Sequence, residues 1–194
     1  ATAGARVEGW TPRRFRELPF TNGYIDNFSD LPIDVDGDGY PDIVSVSWFG
    51  KKISWWKNPG KTRMTWVETI IDAGFPVEFA FLVDLDNDGQ ARELLPQFGE
   101  EGAPIVWYEV VPPTTDGGSR WARHVVSPLT FGHGIGAGDV NGDGRTDILT
   151  PKGWLQAPAD VRATNWTLRP SWDGKSALGF LHVLDLNGDK RPDI

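Results

Sequence analysis

The amino-acid sequence predicts an all-β fold built from four-stranded repeat units, and three patterns in its 194 residues support this prediction. An acidic nonapeptide, D-x-[DN]-x-D-G-x-x-D, recurs with small departures and starts at Asp34, Asp84, Asp139 and Asp185. Tryptophans keep nearly constant distances from the following acidic loop, at Trp66, Trp121 and Trp166. The segments between these markers are short β-branched and aromatic runs without helical periodicity.

The strand-forming runs follow in the same order in each unit. After the first acidic loop come residues 42–48, 52–57, 65–71 and 77–83, separated by turn signals such as Asn58-Pro59-Gly60. The second unit repeats the plan with ELLPQF, PIVWYEV, RWARHVV and FGHGIGAG. The third has DILTPKGW, a poorly patterned middle, NWTLRP and LGFLHVL. About four strands in each 46–55 residues is typical of a β-propeller blade, because solenoid repeats are shorter.

The acidic loops have the chemistry of calcium sites. Oxygen side chains at positions one, three and five, a carbonyl at seven and a carboxylate at nine are what a hard cation with six to eight oxygen ligands requires. An EF-hand is excluded, because position twelve lacks its glutamate and strands flank the loops. The alternative is that Asp, Asn and Gly only form turns. The predicted ligands for up to four Ca²⁺ are Asp34, Asp36, Asp38, Tyr40, Asp42, Asp84, Asp86, Asp88, Gln90, Glu93, Asp139, Asn141, Asp143, Arg145, Asp147, Asp185, Asn187, Asp189, Arg191 and Asp193.

The four copies are not equivalent. In the second, Arg92 stands at position nine, so a one-residue insertion is predicted, with Glu93 replacing the usual aspartate. In the fourth, Lys190 replaces the turn glycine. Holding a lysine in the left-handed backbone conformation costs about 1 kcal/mol. We therefore expect weaker metal occupancy there.

Charge and composition exclude several classes of function. The formal net charge of −8 argues against nucleic acid as a partner, and no apolar run is long enough to span a membrane. The absence of cysteine excludes disulfides, thiolate metal sites and thiol nucleophiles. Half of the 27 acidic residues lie in the four loops, so four bound Ca²⁺ would make the chain nearly neutral.

The DxDxDGxxD loops and the FGHGIGAGDVNGDG segment resemble the FG-GAP/VCBS repeats of calcium-binding β-propellers, which include integrin α-subunit heads. The resemblance covers the whole chain, 1–194, as one partial propeller in a secreted, periplasmic or cell-surface protein. It implies about three and a half blades of a seven-bladed ring, completed by a longer chain or a second copy. The expected blades are 24–72, 76–126, 131–170 and an incomplete 177–194, with 7–18 as a closing outer strand. The expected channel-lining inner strands are Tyr24 to Ile33, Pro76 to Val83, Phe131 to Gly138 and Ala177 to Leu184.

The expected function is a calcium-binding interaction module whose ligand is a carbohydrate or a protein. The alternative is the propeller domain of a carbohydrate-active enzyme, because KKISWWKNPGKTRMTWVETI is similar to a stretch of fungal sugar dehydratases. Glu78 and His133 share a repeat position near the channel mouth and His182 follows three residues before its loop, so these three are the catalytic candidates of a dehydratase or lyase. The competing interpretation is that they are polar residues of a wet channel.

Overall fold

The computed structural model describes residues 14–62, 64–112, 120–172 and 178–194, and all regular structure in these ranges is β. The strands are β1 Phe20–Thr21, β2 Tyr24–Ile25, β3 Ser29–Ile33, β4 Asp42–Ser47, β5 Lys52–Lys57, β6 Val67–Ala73, β7 Val77–Val83, β8 Glu93–Phe98, β9 Ile105–Val110, β10 Trp121–Ser127, β11 Ile135–Gly138, β12 Asp147–Thr150, β13 Gly153–Gln156, β14 Thr167–Arg169 and β15 Phe180–His182. Among the described residues, none forms a helix with the length and apolar character needed to cross a membrane.

The repeat units fold into antiparallel four-stranded sheets, as the sequence predicts. Sheet one has the order β3-β4-β5-β6, sheet two is β7-β8-β9-β10, and sheet three contains β11-β12-β13-β14. These are blades of the propeller type, and they do not close into a ring within the described residues. Of the closing strand expected over 7–18, residues 7–13 lie outside the described part, and residues 14–18 carry no strand.

Two apolar cores lie between the successive sheets. The first combines residues of sheets one and two, including Val44, Ile53 and Leu94, and the second combines sheets two and three around Trp107 and Ile148. The second strands are the most buried, since every residue of β8 and β12 is buried and so is every residue of β4 except Ile43. Packing between neighbouring sheets therefore holds the blades in a stack, with their loops at the two ends.

The last strand departs from the expectation for blade 177–194. β15 does not begin a separate sheet but joins sheet three as a fifth strand, parallel to β11, with Gly136 opposite Leu181. Glycines permit this close approach, because a Cβ on Gly136 would lie 1.9 Å from the carbonyl oxygen of Leu181. Ala177, the expected start of this inner strand, lies outside the described residues.

The first inner strand, expected over residues 24–33, is divided. Tyr24–Ile25 belongs to a small hairpin with β1 through the turn Asn22-Gly23, where both residues have positive φ, and only Ser29–Ile33 joins sheet one. Asp26 causes the break. Its buried carboxylate accepts hydrogen bonds from the Ser47 hydroxyl and from the backbone N–H groups of residues 48, 49 and 50. It thereby fixes the β4–β5 turn instead of continuing a strand.

Candidate metal centres

The acidic loops occupy equivalent places in the fold. Residues 34–41 connect β3 to β4, residues 84–92 connect β7 to β8, and residues 139–146 connect β11 to β12. The fourth loop follows β15 and is closed by backbone hydrogen bonds between Leu184 and Asp193. We call them loops one to four. The first three lie at one end of the stack, because each joins the first strand of a sheet to the second.

The aspartate at position one organises each turn. In loop one the Asp34 carboxylate accepts hydrogen bonds from the backbone N–H groups of Gly37, Asp38 and Gly39 at 2.9, 3.2 and 2.9 Å. Gly37 and Gly39 have positive φ, which explains their place in the motif. The equivalent aspartates accept similar bonds, and they are Asp84, Asp139 and Asp185.

Positions five and seven are also held by hydrogen bonds. The backbone N–H of the position-seven residue donates to the position-five carboxylate at 2.8–3.0 Å, in the pairs Tyr40 to Asp38, Gln90 to Asp88, Arg145 to Asp143 and Arg191 to Asp189. In loop four Lys190 takes the left-handed conformation of the missing glycine, with φ 66°. These bonds alone would be enough for the turn interpretation of the motif.

The position-nine carboxylates lie underneath the loops and are buried. Asp42 Oδ2 accepts from the Val35 N–H at 3.2 Å and from the Trp55 indole at 2.9 Å, while Oδ1 accepts from the Asn58 N–H at 2.7 Å. Asp147 is equally buried and accepts from two backbone N–H groups, those of residues 140 and 157. Burial raises the pKa of Asp42 and of Asp147, so each pays a desolvation cost in its ionised form.

In loop two the structure places Glu93, and not Arg92, at the buried position. Glu93 Oε2 accepts from the Leu85 N–H at 2.9 Å, and burial raises the pKa of Glu93 to about 7. The Arg92 guanidinium instead donates to the backbone carbonyl oxygen of Asp34, in loop one, at 2.8 Å. The corresponding residue of loop three, Thr146, donates to the Asn87 side chain of loop two at 3.2 Å.

Carboxylate oxygens converge in loops one and two. One oxygen from each of Asp34, Asp36 and Asp42 lies within 4.8 Å of the others, and the same holds for Asp84, Asp86 and Glu93. The Asp36 side chain is 6% exposed, and its Oδ1 is buried without a hydrogen-bond partner among the described residues. A buried, unpartnered carboxylate oxygen beside two other carboxylates is an arrangement that a hard cation satisfies. The donor set therefore fits Ca²⁺.

The position-three residue differs in the other two loops. Asn141 and Asn187 donate their side-chain amides to the position-five carboxylates of Asp143 and Asp189, at 2.9 and 3.3 Å. Loops three and four thus have three carboxylates at the predicted ligand positions, whereas loops one and two have four.

The structure brings together two of the three catalytic candidates. His133 Nε2 contacts the Glu78 carboxylate, and His133 Nδ1 lies 2.5 Å from the Leu178 carbonyl oxygen. His182 does not join this pair, because it lies on β15 opposite Ala137 and its ring faces Phe81. A cavity of about 520 Å³ beside His133 is lined by Phe98, Glu101 and Leu129 among others. Both ring nitrogens are engaged, so proton exchange with a substrate would break one of these bonds.

The His133 contacts predict a pH-dependent term in stability. Burial of the ring lowers the pKa of His133, but the hydrogen bonds to Glu78 and Leu178 and the Glu78 charge outweigh it, so the pKa is raised above its ordinary value of 6.5. The imidazolium form donates to both acceptors. Its stabilising contribution is complete below about pH 6.5 and is lost as the pH rises through the raised pKa.

Thermal unfolding of wild type and His133→Gln at a series of pH values between 5 and 9 would test this. We expect the melting temperature of wild type to fall relative to that of the variant as the pH rises. Parallel curves for the two proteins would contradict the prediction.

Two repeat-family matches cover the first three acidic loops almost completely. The FG-GAP-like repeat family matches residues 34–91, and the FG-GAP repeat family matches residues 131–153. The chain contains FG-GAP-type repeats. The first FG-GAP match contains loop one, β4 to β7 and loop two up to residue 91, and the second contains β11, loop three and β12. No curated protein matches the chain. The predicted resemblance to FG-GAP repeats and the predicted propeller-type fold are thus confirmed.

Proposed function

We propose that this chain is a calcium-stabilised β-propeller module that serves as a binding surface, with Ca²⁺ as a structural ion in its acidic loops. The observation that carries the proposal is the buried Oδ1 of Asp36, which has no partner among the described residues and lies beside Asp34 and Asp42. Loop two repeats this convergence of carboxylates. The turn hydrogen bonds do not account for this convergence, because Asp36 Oδ1 accepts none of them.

The chain's own residues prepare the site for a cation. Asp34 holds the turn through three backbone N–H groups, and Asp42 is held from below by Val35, Trp55 and Asn58. Both carboxylates are therefore in place before a ligand arrives. When bound, Ca²⁺ would supply positive charge against these carboxylates and an additional bond between the first two strands of the blade.

Calcium sites of extracellular modules bind with dissociation constants of about 10⁻⁴–10⁻³ M, which match the calcium concentrations outside cells. Of the ligands proposed for loop one, Asp38 is exposed and Asp34 is half-buried, so the turn is open on one side, which is consistent with affinity in this range. A secreted, periplasmic or cell-surface location is part of the proposal for this reason.

Carbohydrate is the ligand class that we propose for the binding surface, with a protein as the other candidate. Aromatic rings lie at the end of sheet one opposite loop one, where the Tyr24 ring is 6.3 Å from that of Phe49 and the Phe28 ring is 6.5 Å from that of Trp48. Tyr24 and Phe28 are exposed. Exposed aromatic rings offer apolar faces on which sugar rings stack. A glycan array probed with wild type and Tyr24→Ala tests this assignment, which is wrong if both proteins bind no glycan.

Chelation tests the calcium proposal directly. At a free calcium concentration 100 times the dissociation constant, one site stabilises the native state by about 2.7 kcal/mol, or about 5–10 °C in melting temperature for a chain of this length. We expect EDTA to lower the melting temperature and added CaCl₂ to restore it. Mg²⁺ should restore less, because it requires a smaller, near-octahedral site.

A matched pair of variants assigns the effect to loop one. Asp34→Asn keeps a side-chain acceptor for the turn but removes a charged ligand, so it should reduce the calcium-dependent shift. Glu101→Gln removes one negative charge at the exposed turn between β8 and β9. It should leave the calcium-dependent shift in melting temperature unchanged. A melting temperature of wild type that is insensitive to EDTA would refute the proposal.

A further inference from the structure

Loops one and two differ from loops three and four by one negative charge at position three. Asp36 and Asp86 occupy this position in loops one and two, and Asn141 and Asn187 occupy it in the others. Each additional carboxylate increases the repulsion within its cluster. The structure shows how the chain compensates for this charge in both loops.

In loop one the compensation comes from Lys57, the last residue of β5. Its ammonium group contacts Asp36 Oδ2 and lies 3.8 Å from Asp38 Oδ2. The Lys57 side chain is 44% exposed, so the ammonium group can move into water when another cation approaches Asp36.

In loop two the compensation comes from Arg162, which lies between β13 and β14 in the next blade. Its Nη2 is 3.0 Å from Asp86 Oδ2 and 2.6 Å from Glu109 Oε1, and its Nε is 2.9 Å from Glu109 Oε2. Arg162 therefore joins blade three to both the loop and the third strand of blade two. Lys57 and Arg162 are 21 and 76 residues away in sequence from the aspartates that they contact.

Loops three and four do not repeat this arrangement in the described residues. The position-three amides of Asn141 and Asn187 donate to position five. The cation beside loop three is Arg145, which belongs to the loop itself and pairs with Asp143 at position five. Within the described residues, a cation from another strand or blade contacts position three in the two loops where that position is an aspartate. It does not do so in the two loops where that position is an asparagine.

We propose that Lys57 and Arg162 are built-in counter-cations that compete with calcium for the position-three carboxylates of loops one and two. This inference rests on the proposed calcium sites. Each counter-cation neutralises the additional carboxylate when the loop holds no ion, and each weakens binding because a positive charge remains near the site. Loops one and two thus keep their shape in the absence of calcium, but their affinity for calcium is lower.

Removing the counter-cation should increase calcium affinity and decrease stability without calcium. For a divalent ion about 5 Å from a unit positive charge in a water-like medium, the repulsion corresponds to about a tenfold change in dissociation constant. We expect Lys57→Met to lower the calcium dissociation constant of loop one by about this factor. Arg162→Met should do the same for loop two. Lys57→Arg keeps the charge and should bind calcium like wild type.

The experiment measures calcium binding by competition with a fluorescent chelator, and urea unfolding in EDTA. The matched control is Lys51→Met, which removes one lysine charge from the β4–β5 turn, where Lys51 pairs with Glu100. Adding Asp34→Asn to Lys57→Met, or Asp84→Asn to Arg162→Met, should abolish the gain. In EDTA both single variants should unfold at lower urea concentration than the control.

The outcomes separate the two proposals. If wild type binds calcium and Lys57→Met and Arg162→Met bind it equally or more weakly, the counter-cation proposal is wrong, and the two residues position the carboxylates. If wild type and all variants fail to bind calcium at millimolar concentration, the calcium proposal itself is wrong, and the competition falls with it. A gain that survives Asp34→Asn would also contradict the assignment to loop one.

Discussion

Replacing Asp42 with alanine is expected to lower the free energy of unfolding by about 3 kcal/mol, whether or not calcium is present. The variant leaves the Val35 N–H, the Asn58 N–H and the Trp55 indole N–H without their acceptor in a buried site. Each unsatisfied buried donor costs about 1–3 kcal/mol, and water that enters the space recovers part of this. Urea unfolding in EDTA and in CaCl₂ measures the effect.

A second aspartate of the same loop is the control. Asp38 is exposed to solvent, and its carboxylate accepts one backbone N–H, that of Tyr40. Asp38→Ala should therefore cost much less than Asp42→Ala in EDTA. If the two variants were equally stable in EDTA, the buried carboxylate would contribute only through a bound ion. Asp42→Asn, which keeps one acceptor oxygen, should fall between them.

Gly136→Ala is expected to detach β15 from sheet three and to destabilise the chain by about 3 kcal/mol, at the upper end of the cost of overpacking. The added Cβ would lie 1.9 Å from the Leu181 carbonyl oxygen, and this obstacle is backbone rather than a flexible side chain. Displacing β15 also separates the Phe180 ring from that of Phe79, which lies 4.7 Å away. Hydrogen exchange of residues 180–182 together with thermal unfolding measures both effects.

Gly179→Ala is the matched control for this substitution. A Cβ at Gly179 meets no atom within 4 Å, and its φ is outside the left-handed region. Gly179→Ala should leave both exchange and stability unchanged. Equal protection of residues 180–182 in wild type and Gly136→Ala would contradict the parallel pairing of β15 with β11.

The sheets and the acidic loops were predictable because they depend on local sequence. Short apolar runs such as Val77–Val83, bounded by turn signals, identify strands locally, and position-one aspartates fold their turns with donors three to five residues away. The insertion before Glu93 followed from aligning one repeat with another. Each of these features is contained within a single unit.

The features that sequence analysis missed depend on partners that are distant in the chain. Nothing in the sequence around Lys57 or Arg162 indicates their ion pairs. The change from Asp to Asn at position three does distinguish loops one and two from loops three and four. The edge at which β15 pairs depends on tertiary structure, and only the alternating glycines at 134, 136 and 138 indicated a close backbone neighbour. The role of Asp26 also depends on distant partners, because its carboxylate accepts from backbone N–H groups of the β4–β5 turn more than 20 residues away.

The hydrogen bonds from Arg92 to loop one and from Thr146 to loop two affect how the repeats respond to an applied force. Both residues directly precede a buried position-nine carboxylate, and both reach the loop of the preceding repeat. Neighbouring repeats are therefore connected twice, by apolar side chains between sheets and by polar contacts along the loop edge. In a chain with nearest-neighbour coupling, a loop that opens weakens the adjacent one first. Strain applied at one blade would be shared along this edge before the cores separate.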